Sequence, residues 1–208
     1  VSGLAFDVAI RQGDRPLLTL AAHVAPGEAL SVMGPSGSGK STLLAWLMGE
    51  LPPGFAARGT AALDGASLDG VAPHRRRLGI LYQDPLLFPH LSVGGNLAFG
   101  LPPSIRGPAR RAQVEAALAE VGLAGYAARD PATLSGGQAA RVALMRTLLS
   151  GPRALLLDEP FSKLDAEMRD RTRALVLDRA RAAAMPVLMV THDPEDAAAA
   201  GGAVLRLD

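Results

Sequence analysis

Short apolar runs, bounded by Gly, Pro and charged turns, alternate along this chain with longer stretches of helical period. Residues 4–10 and 17–24 are β-like stretches flanked by "RQGD" and "APGE", and read as strands joined by turns. "ALSVM" (29–33) is a short apolar run between glycines, the pattern of a strand buried on both faces. "KSTLLAWLMGEL" (40–51) has helical period and stops at Pro52-Pro53. "GTAALDGASL" (59–68) reads as strand and turn, and "RLGILYQD" (77–84) as a strand ending in polar residues. Residues 85–108 are rich in Pro and Gly and read as irregular. Amphipathic helices follow over 109–124 and 139–150, the second ended by Gly151-Pro152. "RALLLDEP" (153–160) and "PVLMVTHD" (186–193) are buried-type strands on either side of a helix over 166–184 with a charged face. "PEDAAAA" (194–200) begins a last helix and "AVLRLD" (203–208) closes as a strand.

Strand alternating with helix implies an α/β fold, a parallel sheet flanked by helices. The mostly helical stretch between about 88 and 150 reads as a lobe inserted in that sheet. With 208 residues, 49% of them hydrophobic, the chain suits one domain with a sizeable core. The net charge of +1 gives no long-range electrostatic case for nucleic acid or an anionic membrane. The runs "HRRR" (74–77) and "RGPARR" (106–111) accordingly read as solvated faces. Cysteine is absent from the sequence, which removes disulfides, thiolate chemistry and Cys zinc sites. Apolar runs such as "PVLMV" are too short to span a bilayer, and no secretory signal opens the chain. The protein is expected to be soluble and able to dock on a membrane partner.

The chemistry sits at the ends of the predicted strands. "GPSGSGKST" (34–42) fits G-x-x-x-x-G-K-[ST] and lies between a strand and a helix, the context this motif requires. Glycines let backbone N–H groups converge on phosphate oxygens, and the helix N-terminus adds a positive dipole. Gly34, Pro35, Ser36, Gly37, Ser38, Gly39, Lys40, Ser41 and Thr42 are the candidate phosphate cradle. In it Lys40 bridges the β- and γ-phosphates and the Ser41 hydroxyl ligates Mg2+. "ALLLDE" (154–159) is an apolar strand ending in paired carboxylates. Asp158 is placed to hold Mg2+ through water, and Glu159 to polarise an attacking water. Gln83 and His192 close other strands on the same expected edge. Taken alone, Gln83 reads as a solvated turn residue and His192 as a capping or core-satisfied histidine; beside Glu159, the imidazole is able to hydrogen-bond a γ-phosphate or a water. Ser135, Gly136, Gly137 and Gln138 stand where a helix begins. Local physics supports an N-cap there, with anion-binding capacity from the glycines and the dipole.

These residues together resemble the nucleotide-binding subunit of ATP-binding cassette (ABC) transporters, over essentially the whole chain. The correspondence runs through the Walker A loop "GPSGSGKST", the Q-loop glutamine Gln83 in "LYQD", the signature "LSGGQ" (134–138), Walker B "ALLLDE" with Glu159 as catalytic glutamate, the D-loop "SKLD" (162–165), and the switch histidine His192 in "VTHD". The resemblance implies a P-loop NTPase (RecA-like) core with a parallel sheet and an antiparallel β subdomain near the N-terminus, over about 1–87 and 151–208. A helical subdomain over about 88–150 completes the single domain of 1–208. It implies ATP and Mg2+ as ligands, with catalytic Glu159, His192, Lys40 and Gln83. Metal contacts would fall to Ser41, Gln83 and Asp158. Two copies would pack head to tail, so that Ser135–Gln138 of one copy face the nucleotide held by the Walker A loop of the other.

"DEPFSKLD" and "LYQDPLLFPHLSVGGNLAFGL" look importer-like, closest to short bacterial importer ATPases, with thiamine-uptake ATPases somewhat further off. Implied partners are membrane-spanning permease subunits, contacted through the lobe that includes Phe88 and Leu91, and a periplasmic substrate-binding protein; nucleic acid is not an expected partner. The expected location is peripheral, on the cytoplasmic face of a bacterial inner membrane. The alternatives are an exporter or lipoprotein-release ATPase, and a non-transport cassette protein acting on nucleic acid or ribosomes. The chain departs from the family where no aromatic lies near Val8 to Gly13, the region that usually stacks adenine. It departs again at Ala139-Ala140-Arg141 after the signature, and at Lys163, where Ala is common.

Overall fold

Period-two burial organises the first strands. Leu4–Gln12 (β1) buries Leu4, Phe6, Val8 and Ile10 and exposes Asp7, Ala9 and Arg11. It pairs antiparallel with Arg15–Val24 (β2) through the turn at Gly13-Asp14. Ala29–Met33 (β3) is buried along its whole length and leads into the helix Lys40–Met48 (α1). The chain then returns to the first sheet through Phe55–Leu63 (β4), antiparallel to β1, and the short Ala66–Ser67 (β5). This sheet has the order β2-β1-β4-β5. The computed structural model describes residues 2–207. Val1 and Asp208, the ends of the expected domain and of its closing strand, lie outside the described residues.

A second sheet uses Leu78–Leu81 (β6), Ala154–Asp158 (β7), Val187–Val190 (β8) and Ala203–Arg206 (β9) in the order β6-β7-β8-β3-β9. β3 runs parallel to both of its neighbours, β8 and β9, and β7 runs parallel to β8. β3, β7 and β8 are buried at every position, which is why they read as unbroken apolar runs. The core joins the two sheets through α1, with Phe6, Ile10, Val32, Leu43, Leu47, Leu156 and Leu188 in one cluster.

The chain forms two compact units. One comprises Val1–Ile80, Arg153–Glu159 and Leu175–Asp208; the other comprises Leu81–Pro152 and Pro160–Ala174. The first carries both sheets, α1, the later turns of Ala166–Ala182 (α5), and Pro194–Ala200 (α6), N-capped by Asp193. α1 stops at Met48, short of the prolines, because Gly49 takes a left-handed φ of 82°. Arg76 then seals the helix end, donating to the carbonyls of Leu47 (2.6 Å), Trp46 (3.4 Å) and Val71 (2.9 Å). Burial pulls the Arg76 guanidinium below its usual pKa and the Asp69 carboxylate opposes the shift. The "HRRR" run is therefore not wholly a solvated face: one of its arginines is a helix cap.

The second unit contains Val93–Gly100 (α2), Gly107–Glu120 (α3) and Gly136–Leu149 (α4). α2 lies inside the stretch expected to be irregular. Its Gly94, Gly95 and Gly100 weaken helix propensity, but packing against α4 demands small residues: a Cβ on Gly100 would stand 2.2 Å from the Arg146 carbonyl oxygen. The helix is nucleated by Ser92, whose hydroxyl accepts from the Gly95 N–H at 3.0 Å. Asn96, fully buried, bonds both backbone groups of Phe88 (2.8 and 3.1 Å) and the carbonyl of Ser92 (3.0 Å). Arg110 closes the far end of α2 on the carbonyls of Ala98 and, at 2.8 Å, Ile105, so "RGPARR" also spends an arginine on capping rather than on solvent.

Gly100→Ala is expected to lower stability by about 2–3 kcal/mol through overpacking against α4. Denaturant midpoints of the two proteins measure it; an unchanged midpoint would mean that the α2–α4 approach is loose.

Candidate active site

The loop after β3 is shaped by its glycines and by one buried charge. Gly37 (φ 83°) and Gly39 (φ 91°) take left-handed conformations that side chains resist. α1 starts at Lys40 with Gly39 as N-cap, and no side chain caps its first N–H groups. Those N–H groups and the helix dipole are an anion site. Lys40 is 8% exposed, and its Nζ donates to the Gly34 and Pro35 carbonyls at 2.7 Å each. Its side chain thus ties the loop to the first turn of the helix.

β7 brings the carboxylates. Asp158, the last residue of β7, is 9% exposed. Burial raises its pKa; a hydrogen bond with the Ser41 side chain lowers it, Glu159 raises it and Lys40 lowers it. A hydroxyl and a buried carboxylate already in contact, beside a phosphate-type loop, form a hard-oxygen pair that fits a Mg2+ ion.

Glu159 departs from the strand with a φ of 46°, a costly left-handed conformation for a residue with a side chain. Its N–H donates to the Val190 carbonyl at 2.9 Å, and its Oε2 lies 2.8 Å from His192 Nδ1. The Glu159 side chain is 19% exposed and that of His192 68%. Thr191, fully buried, donates its N–H to the Val32 carbonyl (3.2 Å), and its hydroxyl accepts from Asp193 N–H (3.0 Å). The pairing of β3, β8 and β7 therefore sets Gly34–Thr42, Asp158, Glu159 and His192 on adjoining strand ends of one sheet.

The other candidates belong to the second unit. Gln83 is exposed in the bend after β6. Ser135 is the N-cap of α4 and forms a capping box: its hydroxyl accepts from Gln138 N–H (3.2 Å), and Gln138 Oε1 accepts from Ser135 N–H (3.0 Å). The box leaves the amides of the first helical residues, Gly136 and Gly137, for a ligand. A Cβ on Gly136 would meet nothing within 4 Å. Asn96 and Arg146 have no counterpart in the sequence motifs. Arg146 donates to Pro85 O (3.1 Å) and Leu86 O (2.9 Å) and stacks over Phe88 at 5.1 Å, so it clamps the segment after Gln83. Its only trace in the sequence is a polar break in an apolar helix.

A lysine-bearing glycine loop between a buried parallel strand and a helix, with a carboxylate pair on a neighbouring strand end, defines a P-loop nucleoside triphosphatase. Residues 17–162 match the ABC transporter family. The chain is 49% identical over 191 residues to YnjD of Escherichia coli (strain K12), described as an uncharacterized ABC transporter ATP-binding protein, covering 91% of this chain and 88% of that one. It is 47% identical over 189 residues to the thiamine import ATP-binding protein ThiQ of Cereibacter sphaeroides, covering 90% and 80%. Among solved structures it is similar to the dimeric post-hydrolysis state of the ATP-binding cassette MJ0796 bound to ADP and Pi. That likeness has a TM-score of 0.83 and 27% identity and covers 99% of this chain and 94% of that one. The chain belongs to the ABC transporter family, as its ATP-binding, ATP-hydrolysing subunit.

Asp158→Asn is expected to stabilise the nucleotide-free protein at neutral pH, because it removes a buried charge that folding raises in pKa. A carboxyl whose pKa is higher folded than unfolded weakens the fold once pH passes its unfolded value, near 3.8. The advantage of the Asn variant should therefore vanish in acid and grow above that pH; thermal midpoints across pH measure it, and a destabilised variant at pH 7 would contradict it.

Proposed function

We propose that this chain is the ATPase of a bacterial importer, acting as a head-to-tail dimer on the cytoplasmic face of the inner membrane. The observation that supports it most is the Glu159–His192 pair, 2.8 Å apart in the same compact unit as the Lys40 loop. In this reading Gly34–Thr42 cradle the phosphates of ATP, with Lys40 on the β- and γ-oxygens and the Ser36–Gly39 backbone facing the anion. Ser41, Asp158 and Gln83 would hold Mg2+, which would supply charge neutralisation at the phosphates. Glu159 orients and polarises the attacking water. His192 keeps the Glu159 carboxylate in one rotamer and lends a donor to the γ-phosphate.

Ser135, Gly136, Gly137 and Gln138 serve the nucleotide held by the second copy, through the amides that the capping box leaves at the head of α4. ATP thereby becomes part of the dimer interface, and its hydrolysis releases the dimer. MJ0796 is described as a dimeric cassette, which supports two copies here. The import direction draws support from relatives named as import ATPases for thiamine and, at 47% identity in Burkholderia cenocepacia, for aliphatic sulfonates. Such an ATPase needs membrane-spanning permease subunits and a periplasmic substrate-binding protein, and the cargo is set by them. Among the described residues no helix is long and apolar enough to cross a membrane, so in this proposal the membrane is reached through the permease.

Glu159→Gln is expected to cut ATP turnover by about 100-fold or more while MgATP binding persists. With ATP and Mg2+ the variant should sediment as a dimer, and without nucleotide as a monomer. Turnover at the unmodified rate would remove Glu159 as the base. A monomer at saturating MgATP would remove the composite site.

A further inference from the structure

The D-loop carries a lysine, and the structure supplies it with a partner. Lys163 Nζ donates to Asp84 Oδ1 at 2.5 Å, across 79 residues of sequence. Asp84 is the residue next to Gln83. The division of the chain agrees: Pro160–Ala174 pack in one unit with Leu81–Pro152, so the D-loop belongs to the unit that holds Gln83 and α4, and not to the one that holds β7 and Glu159. The D-loop also lies close to the head of α4. A Cβ on Gly137 would stand 3.2 Å from the Lys163 carbonyl oxygen, so the two backbones lie close. Arg141, a turn further along α4, is 9% exposed, and the Asp165 carboxylate partly offsets the lowering of its pKa by burial.

We infer that Lys163 is a positioning residue that latches the loop carrying Gln83 to the D-loop and the head of α4 through its ion pair with Asp84. Arg146 already holds that loop from residue 85 onward, by the carbonyls of Pro85 and Leu86. The stretch it leaves ungripped begins at Asp84, and Lys163 takes it up. Lys163 thus fixes the chain beside Gln83, and its main chain simultaneously backs the glycine that presents the Gly137 amide. An alanine in its place would leave Asp84 without this cation. The pair is not a pillar of stability: the Lys163 side chain is 36% exposed and that of Asp84 77%, the regime in which ion pairs are weak and screened by salt. Its effect belongs on the population of a competent Gln83 loop, and hence on turnover more than on nucleotide affinity.

The role of the latch in turnover rests on the ATPase reading above, so the test carries one readout that does not. Hydrogen exchange of residues 82–91 is measured on the nucleotide-free chain for the unmodified protein, Lys163→Ala, Asp84→Asn and the charge-exchanged pair Lys163→Asp with Asp84→Lys. Both single variants should exchange faster in this segment, and the exchanged pair should return toward the original rate. Unchanged exchange in either single variant overturns the latch. With MgATP, each single variant should lose about two- to fivefold in kcat with KM held within about twofold. The combination of Lys163→Ala with Asp84→Asn should be no worse than either alone, and added salt should lower the unmodified protein toward the variants. Losses that multiply, or a kcat that does not move while exchange rises, overturn the positioning role. Faster exchange in a protein that shows no ATPase activity even unmodified would keep the latch and sink the ATPase reading instead.

Discussion

One buried ammonium organises the candidate site. Lys40 emerges from the first position of α1 and curls back to hold the carbonyls of Gly34 and Pro35, so the loop is wound around a positive charge from which water is largely excluded. A charge in that setting is tolerated only when it is well bonded, and two carbonyls at 2.7 Å supply those bonds. Much of the first unit secures this arrangement. β3 is central and buried so that the loop departs from a fixed point; Leu43, Leu44 and Leu47 anchor α1 in the core joining both sheets; Arg76 finishes the far end of the same helix.

The carboxylates at the end of β7 stand in tension with stability. Asp158 is buried beside a second acid and is held by a hydroxyl and a nearby ammonium, and burying that carboxylate costs the fold stability. Glu159 adds a left-handed backbone conformation, kept in place by its N–H on Val190 and its side chain on His192. Both features weaken the protein by itself; in the proposed function they align the groups that meet the nucleotide, the usual direction of the trade between stability and activity.

The second unit uses its arginines as fasteners. Arg110 closes α2, Arg141 reaches the Val121 carbonyl from the middle of α4, and Arg146 grips the segment after Gln83. Several of the guanidiniums in this chain are spent inward on carbonyls at helix ends. The glycines of α2 serve the same close packing, since the Arg146 backbone occupies the volume where a larger residue at 100 would sit.

The sequence by itself determined the strands of the parallel sheet, the long helices, the phosphate loop, the paired carboxylates and the N-cap at Ser135, because each is written in a local period or in a spacing that few other conformations satisfy. The reciprocal bond that Gln138 returns to the Ser135 N–H, completing a capping box, is added by the structure. α2 was not: its glycines argue against a helix when read locally, and only the proximity of α4 makes them necessary. The capping arginines looked like solvated charge for the same reason, since the carbonyls that hold Arg76 lie up to 30 residues away. Nor does any local pattern pair Glu159 with His192 or Asp84 with Lys163. Those contacts exist because parallel strands set their ends side by side and because a loop folds back on a helix head. Local propensity reports what one segment prefers, whereas a pairing between distant segments is decided only when the core closes.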